Sequence, residues 1–160
     1  MRIMTVEVTE LAEEHESSLR ALLVAEGMGL HAGTLLDHRH RPYERLYVAL
    51  AGSVVVGFVE GTFTDREIFG SGEFPPPRAR IVQLVVAVHS RRTGIGSALV
   101  GRFAIDAEAA RLDSLVLYPE PDHADVRRAF FHHCGMRPVL GTPLLGARLD
   151  IIRTALVSRS

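Results

Sequence analysis

Six residues, Arg91-Arg92-Thr93-Gly94-Ile95-Gly96, lie directly after an apolar run and directly before a helical pattern. The run Ile81-Val82-Gln83-Leu84-Val85-Val86-Ala87-Val88 is rich in β-branched residues and reads as a buried strand. Gly94 to Ala110 has no proline and places Ile95, Leu99 and Phe103 at helical spacing, with Ala98 beside them. The order is therefore strand, basic glycine turn, first turn of a helix. A helix start leaves backbone N–H groups without intrahelical partners. The helix dipole adds partial positive charge there. Glycine removes the Cβ atoms that would hold a bulky anion off the backbone. The segment is thus a seat for a phosphate or pyrophosphate.

Spacing narrows the ligand. Nothing has the form G-x-x-x-x-G-K-[ST] of a P-loop. A G-x-G-x-x-G dinucleotide fingerprint fails because Leu99 stands at the third glycine, and because such a turn opens its domain rather than lying past mid-chain. Arg91-x-x-Gly94-x-Gly96 does resemble the Q/R-x-x-G-x-G/A motif of the GCN5-related N-acetyltransferase (GNAT) family. Leu84-x-Val86 precedes it in the usual strand position, and Phe130-Phe131-His132-His133-Cys134-Gly135-Met136 is similar to that family's later F-Y-x-x-x-G-F segment. The resemblance covers about Arg80 to about Met136.

Bulk properties agree. A chain of 160 residues is most simply one domain, residues 1–160. A net charge of −1 gives no general attraction to nucleic acid or to an anionic membrane. One cysteine, Cys134, allows neither an internal disulfide nor a cysteine-based zinc site. No apolar run approaches a membrane span and no signal peptide is recognised, so a soluble cytoplasmic protein is expected.

Along the chain, Met4–Val8 reads as a strand. Glu10 to Gly27 reads as a helix with Thr9 as N-cap, and a shorter helix is expected from about Gly33 to His40. Two strands, Arg45–Leu50 and Ser53–Phe63, flank the Ala51-Gly52 turn. Thr64 to Arg78 is a Gly/Pro-rich loop. After the Ile81 strand and the Gly94 helix come a strand over Asp113–Tyr118 and a helix from Asp122 to about Cys134, ended by Gly135. A final strand pair, Arg137–Leu140 with Ala147–Thr154, is expected; its apolar Ile151 and Ile152 could support a homodimer. The order β-α-α-β-β-β-α-β-α-β-β is mixed α/β. The resemblance implies a mostly antiparallel central sheet splayed between its fourth and fifth strands, with coenzyme A in the opening.

The same resemblance implies transfer of an acetyl group from acetyl-CoA to an amine by direct attack in a ternary complex. The cofactor-binding set is then Leu84, Val85, Val86, Val88, Arg91, Arg92, Thr93, Gly94, Ile95, Gly96, Ser97 and Phe131. The pyrophosphate would sit on the Arg92–Ser97 backbone, and the pantetheine arm would pair with the Leu84–Val88 edge. A strand N–H near Val85 or Val86 would steady the developing oxyanion. The acceptor would be a small-molecule or peptide amine, with no nucleic acid or membrane partner. Two family features are missing: Phe131 stands where a proton-donating tyrosine is usual, and Ile81, with Gln83 as its face neighbour, stands where some members carry a glutamate. A binding module for acyl-CoA, a sensor or scaffold with little catalysis, is the alternative.

Candidate bases and acids follow. Glu60 shares a strand face with Val54, Val56 and Phe58, which suggests a cleft; the plainer reading is a carboxylate at the strand's wet end. Glu73 could reach over from its loop. Glu120 and His123 follow the fifth strand, where the sheet opens. Tyr118 carries a phenol that could replace the missing tyrosine. Arg91 and Arg92 suit phosphate, and Arg127 and Arg128 could approach an adenosine 3′-phosphate or simply face solvent. The cluster His31, His38, Arg39, His40, Arg41 and Arg45 reads as a polar helix end, or as a wall for an acidic acceptor. No metal is expected: Asp37, His38 and His40 form a thin set, and adjacent His132, His133 and Cys134 diverge on a helix.

Overall fold

The computed structural model describes residues 5–29, 44–66, 73–91, 93–119 and 124–157. The expected helix over about Gly33 to His40, the cluster His31 to Arg41, and Arg92, Glu120, Asp122 and His123 lie outside the described residues.

Among the described residues there are seven strands, β1 (Val6–Glu10), β2 (Glu44–Ala51), β3 (Val54–Asp65), β4 (Arg78–Val86), β5 (Ser114–Leu117), β6 (Arg137–Pro138) and β7 (Leu145–Arg148). The described α-helices are α1 (Glu16–Ala25), α2 (Ile95–Ala109), α3 (Ala124–His133) and α4 (Leu149–Val157). The sheet order is β1-β2-β3-β4-β5-β7-β6. β4 and β5 run parallel, whereas β1–β2, β5–β7 and β6–β7 are antiparallel. The β4–β5 register covers Ala79 to Ile81, and β4 continues to Val86. The sheet is mixed and mostly antiparallel, as the resemblance implies.

The chain forms two compact units, residues 1–61 with 83–99 and residues 62–82 with 100–160. In the first, Leu19, Leu22 and Leu23 of α1 are buried against Leu46, Val48 and Leu50 of β2 and Val55 and Phe58 of β3. Their spacing gives α1 one apolar stripe. Gly52, at φ +64, makes the expected hairpin turn between β2 and β3. The N-terminal boundary differs from expectation. Thr9 belongs to β1, because the chain stays paired with β2 through Glu10↔Tyr47. The Leu11 amide still bonds to the Leu46 carbonyl at 3.0 Å. A 3-10 turn, Glu13–His15, then leads into α1.

In the second unit Phe63 meets Phe103 of α2 edge-on, with ring centroids 5.2 Å apart. Arg78 is 1% exposed; its Nε donates to Asp65 Oδ2 at 2.8 Å and its Nη1 to the Phe74 carbonyl at 2.9 Å. At the end of α3, Gly135 takes φ +93 and the Met136 amide returns to the Phe131 carbonyl at 3.0 Å, the expected glycine termination. The C-terminal segment corrects the expected strand pair. β7 ends at Arg148, and Leu149–Val157 is helical. Leu149 and Ile152 are buried, and Leu156 Cδ1 lies 3.5 Å from where a Cβ on Gly101 would stand. That spacing is helical, not alternating. Ile152 therefore faces the core, while Ile151 is about half exposed. No Ile151–Ile152 strand edge exists to support a dimer.

Candidate active site

The sequence-predicted seat is built from the end of β4, the turn after it and the start of α2. Its geometry starts from one hydrogen bond: the Ala87 amide donates to the Val56 carbonyl at 2.8 Å. Successive residues of an antiparallel strand turn their polar backbone groups alternately toward and away from the neighbour. Ala87 and Val85 therefore face β3. The Val85 carbonyl agrees, lying 3.0 Å from where a Cβ on Gly57 would stand. Leu84 and Val86 accordingly direct their N–H and C=O groups away from β3, on the stretch of β4 beyond the β5 register. An extended, amide-bearing ligand could be read there as an added strand.

After Val86 the chain leaves the sheet. Val88 lies in a 3-10 turn, Val88–Ser90, closed by the Ser90 amide on the Ala87 carbonyl at 2.8 Å. The expected strand to Val88 thus stops two residues early, and Val88 is an exposed turn residue rather than an edge position. Arg91 follows. Its Nε donates to the Val86 carbonyl at 3.1 Å and its Nη2 to Glu26 Oε1 at 2.6 Å. The Thr93 hydroxyl donates to the Ser90 carbonyl. Gly94 has φ +85, a conformation that side chains resist, and a Cβ there would meet nothing within 4 Å. Ile95 and Leu99 are buried and anchor α2, while Gly96 and Ser97 stay partly exposed in its first turn. The first-turn amides have no intrahelical carbonyls to reach. Open space at Gly94, next to those amides, is what a phosphate needs, so these residues fit such a group.

Sequence reasoning missed two contributors. Gly57 lets α2 approach the sheet: a Cβ there would lie 3.2 Å from Leu99 Cδ1 and 3.3 Å from Ile95 Cγ2. Glu26 pairs with Arg91 from 65 residues away. A glycine inside a β-rich run was the available signal for the first. No local pattern marks the second.

The GNAT acetyltransferase family model matches residues 8–136. The chain belongs to the GNAT acetyltransferase family. No functionally curated protein matches its sequence. Among solved structures it resembles the aminoglycoside antibiotic 6'-N-acetyltransferase of Acinetobacter baumannii, with TM-score 0.72 and 16% identity over 84% of this chain and 92% of that one. It also resembles a GNAT family N-acetyltransferase from Escherichia coli in complex with CoA, with TM-score 0.69 and 16% identity over 95% and 87%. A third is the PaiA N-acetyltransferase of Thermoplasma acidophilum in complex with coenzyme A, with TM-score 0.68 and 14% identity over 91% and 99%. At these identities the likeness is one of fold. GNAT enzymes are acyltransferases that use acetyl-CoA.

Glu60 is 3% exposed, so it is not at the strand's wet end. Counting back from the Ala87–Val56 bond brings Glu60 opposite Gln83, on the β4 face that also carries Ile81 and Val85. Tyr118 belongs to the second unit. It packs beside Phe74, Val116, Val139 and Leu144, and the Arg80 guanidinium lies 4.8 Å from its ring centroid. Phe131, also in the second unit, is buried and stacks edge-on with Phe130 at 5.1 Å. Arg128 is exposed and Arg127 partly so, both on α3. Among the described residues no three His, Cys, Asp or Glu side chains gather as a metal site, and none of the described helices is long and apolar enough to cross a membrane.

Glu73 lines a separate open cleft of about 600 Å³ within the second unit, together with Phe74, Asp113, Ser114, Arg137 and Arg148. Glu73 lies 3.9 Å from Arg137. The hydrogen bond between Arg148 and Asp150 raises the guanidinium pKa and lowers that of the carboxyl. None of the sequence-predicted cofactor residues lines this cleft.

Proposed function

We propose that this chain is a single-domain cytoplasmic N-acetyltransferase that moves an acetyl group from acetyl-CoA to an amine of a small-molecule or peptide acceptor, by direct attack in a ternary complex. The observation that carries the reading is the turn from β4 to α2. There a positive-φ glycine with open space beside it introduces a helix start, next to a strand end whose Leu84 and Val86 amides turn away from β3. Acetyl-CoA supplies, when bound, a thioester acyl group activated for attack by an amine. The backbone of Thr93 to Ser97, with Arg92, holds the diphosphate. The Leu84 N–H and C=O hold the pantetheine arm, and this positioning makes the encounter effectively unimolecular. The Val86 N–H donates to the acyl oxygen as negative charge builds on it. Glu60, directly or through a water, takes the proton of the acceptor ammonium. Tyr118 is the proton donor for the departing thiolate, in place of the tyrosine that Phe131 replaces.

Two residues favour a second reading, an acyl-CoA-binding module with little turnover: Ile81 cannot accept a proton where some GNAT enzymes place a glutamate base, and Phe131 cannot donate one where a tyrosine is usual. Thiol release with acetyl-CoA across an amine panel separates the two. An acetyltransferase releases thiol with at least one acceptor, and Glu60→Gln lowers that rate. Binding without release above background supports the module. Tyr118→Phe leaving the release rate intact removes Tyr118 from the scheme.

A further inference from the structure

Glu26 breaks a local rule. It closes α1, where the last carbonyls carry partial negative charge and acids are disfavoured. The last turn of α1 holds no base to compensate. The backbone is fixed there: Gly27 sits at φ +76, its amide bonds to the Val24 carbonyl at 3.1 Å, and the Met28 amide bonds to the Leu23 carbonyl at 2.7 Å. Those bonds form a Schellman closure, with Met28 packed on the core beyond it. The Glu26 side chain, 12% exposed, cannot drift into water. What offsets it is Arg91 Nη2, at 2.6 Å from Oε1, a short charge-assisted hydrogen bond.

The pair also orients Arg91. Nε and Nη2 lie along one edge of the planar guanidinium, and that edge is held by the Val86 carbonyl and by Glu26. Nη1 takes part in neither bond, and the side chain is 55% exposed. Arg91 immediately precedes the turn that carries Gly94. We infer that Glu26 is a positioning residue for coenzyme A: it grips one edge of Arg91 so that the other presents to the phosphate seated at the Gly94 turn. The inference rests on the functional reading above and adds to it a residue remote in sequence from the motif. Preorganising a cation in this way favours binding by lowering the ordering cost.

Calorimetry of Glu26→Gln with coenzyme A and with pantetheine, which lacks the diphosphate, tests this. Affinity for coenzyme A is expected to fall about tenfold, the size of one charge-assisted hydrogen bond. Pantetheine affinity is expected to stay at the wild-type value. With any active acceptor, KM for acetyl-CoA rises while kcat holds. Glu26→Asp, which keeps the charge, gives intermediate affinity. The charge-swapped double variant Glu26→Arg with Arg91→Glu regains the melting temperature but not the coenzyme A affinity. Unchanged coenzyme A affinity in Glu26→Gln overturns the inference alone, as does full recovery by the swap or an equal loss for both ligands. A wild-type protein that binds no coenzyme A overturns the functional reading, and this inference with it.

Discussion

Ala87 donates its backbone amide to the Val56 carbonyl at 2.8 Å, and this single bond sets the phase of the whole end of β4. It commits Val85 and Ala87 to β3 and leaves Leu84 and Val86 facing the other way. It also places buried Glu60 opposite Gln83. A slip of one residue would exchange these roles and turn the wrong amides toward the proposed pantetheine track.

The Val85 carbonyl lies 3.0 Å from the position of a Cβ on Gly57, with Leu99 and Ile95 side-chain atoms at 3.2 and 3.3 Å. Backbone is the nearest neighbour, so it cannot rotate away. Gly57→Ala is expected to destabilise by about 1–3 kcal/mol through overpacking, read by denaturant unfolding, and to weaken coenzyme A binding as β4 and α2 are pushed apart. Wild-type stability would mean that the approach is looser than described.

Asp65 and Arg78 form an ion pair whose side chains are 5% and 1% exposed. Asp65 also lies 3.6 Å from Arg80 Nη1. Asp65→Ala removes the carboxylate that accepts from the buried Arg78 guanidinium, and is expected to cost about 3–5 kcal/mol by the same unfolding measurement. A loss below 1 kcal/mol, as for an exposed pair, would contradict the burial.

Helix α4 is tested by two adjacent isoleucines. Ile152 is fully buried and Ile151 is 51% exposed. Ile152→Ala is expected to cost about 2–5 kcal/mol, and Ile151→Ala to stay within about 0.5 kcal/mol. Equal costs would fit neither this helix nor its packing.

The sequence made the β4–turn–α2 unit legible because its signals are local: β-branched residues, then glycines, then a helical stripe. Gly27, Gly52 and Gly135 likewise marked real chain reversals, each with positive φ. The boundaries that shifted were set by tertiary pairing. Glu10 stays extended because Tyr47 is opposite it, which no helix propensity in 10–27 reveals. At the C-terminus, Leu149, Ile152 and Leu156 carry a helical period that a strand assignment over Ala147–Thr154 overrode. Glu26 was invisible for a different reason: its value lies in an arginine far along the chain. Glu60 stood out in sequence only as a charge among apolar neighbours, and its burial and its place opposite Gln83 needed the sheet register.

The most direct test of the central claim is titration calorimetry of acetyl-CoA into the wild-type protein and into the Gly94→Glu, Gly96→Glu double variant, with melting curves confirming that both are folded. Wild-type protein is expected to bind with measurable heat. The double variant, which sets two carboxylates at the α2 start to repel a diphosphate, is expected to give none. No heat from the wild type, or undiminished affinity in a folded double variant, would contradict the assignment of this turn as the seat of the coenzyme.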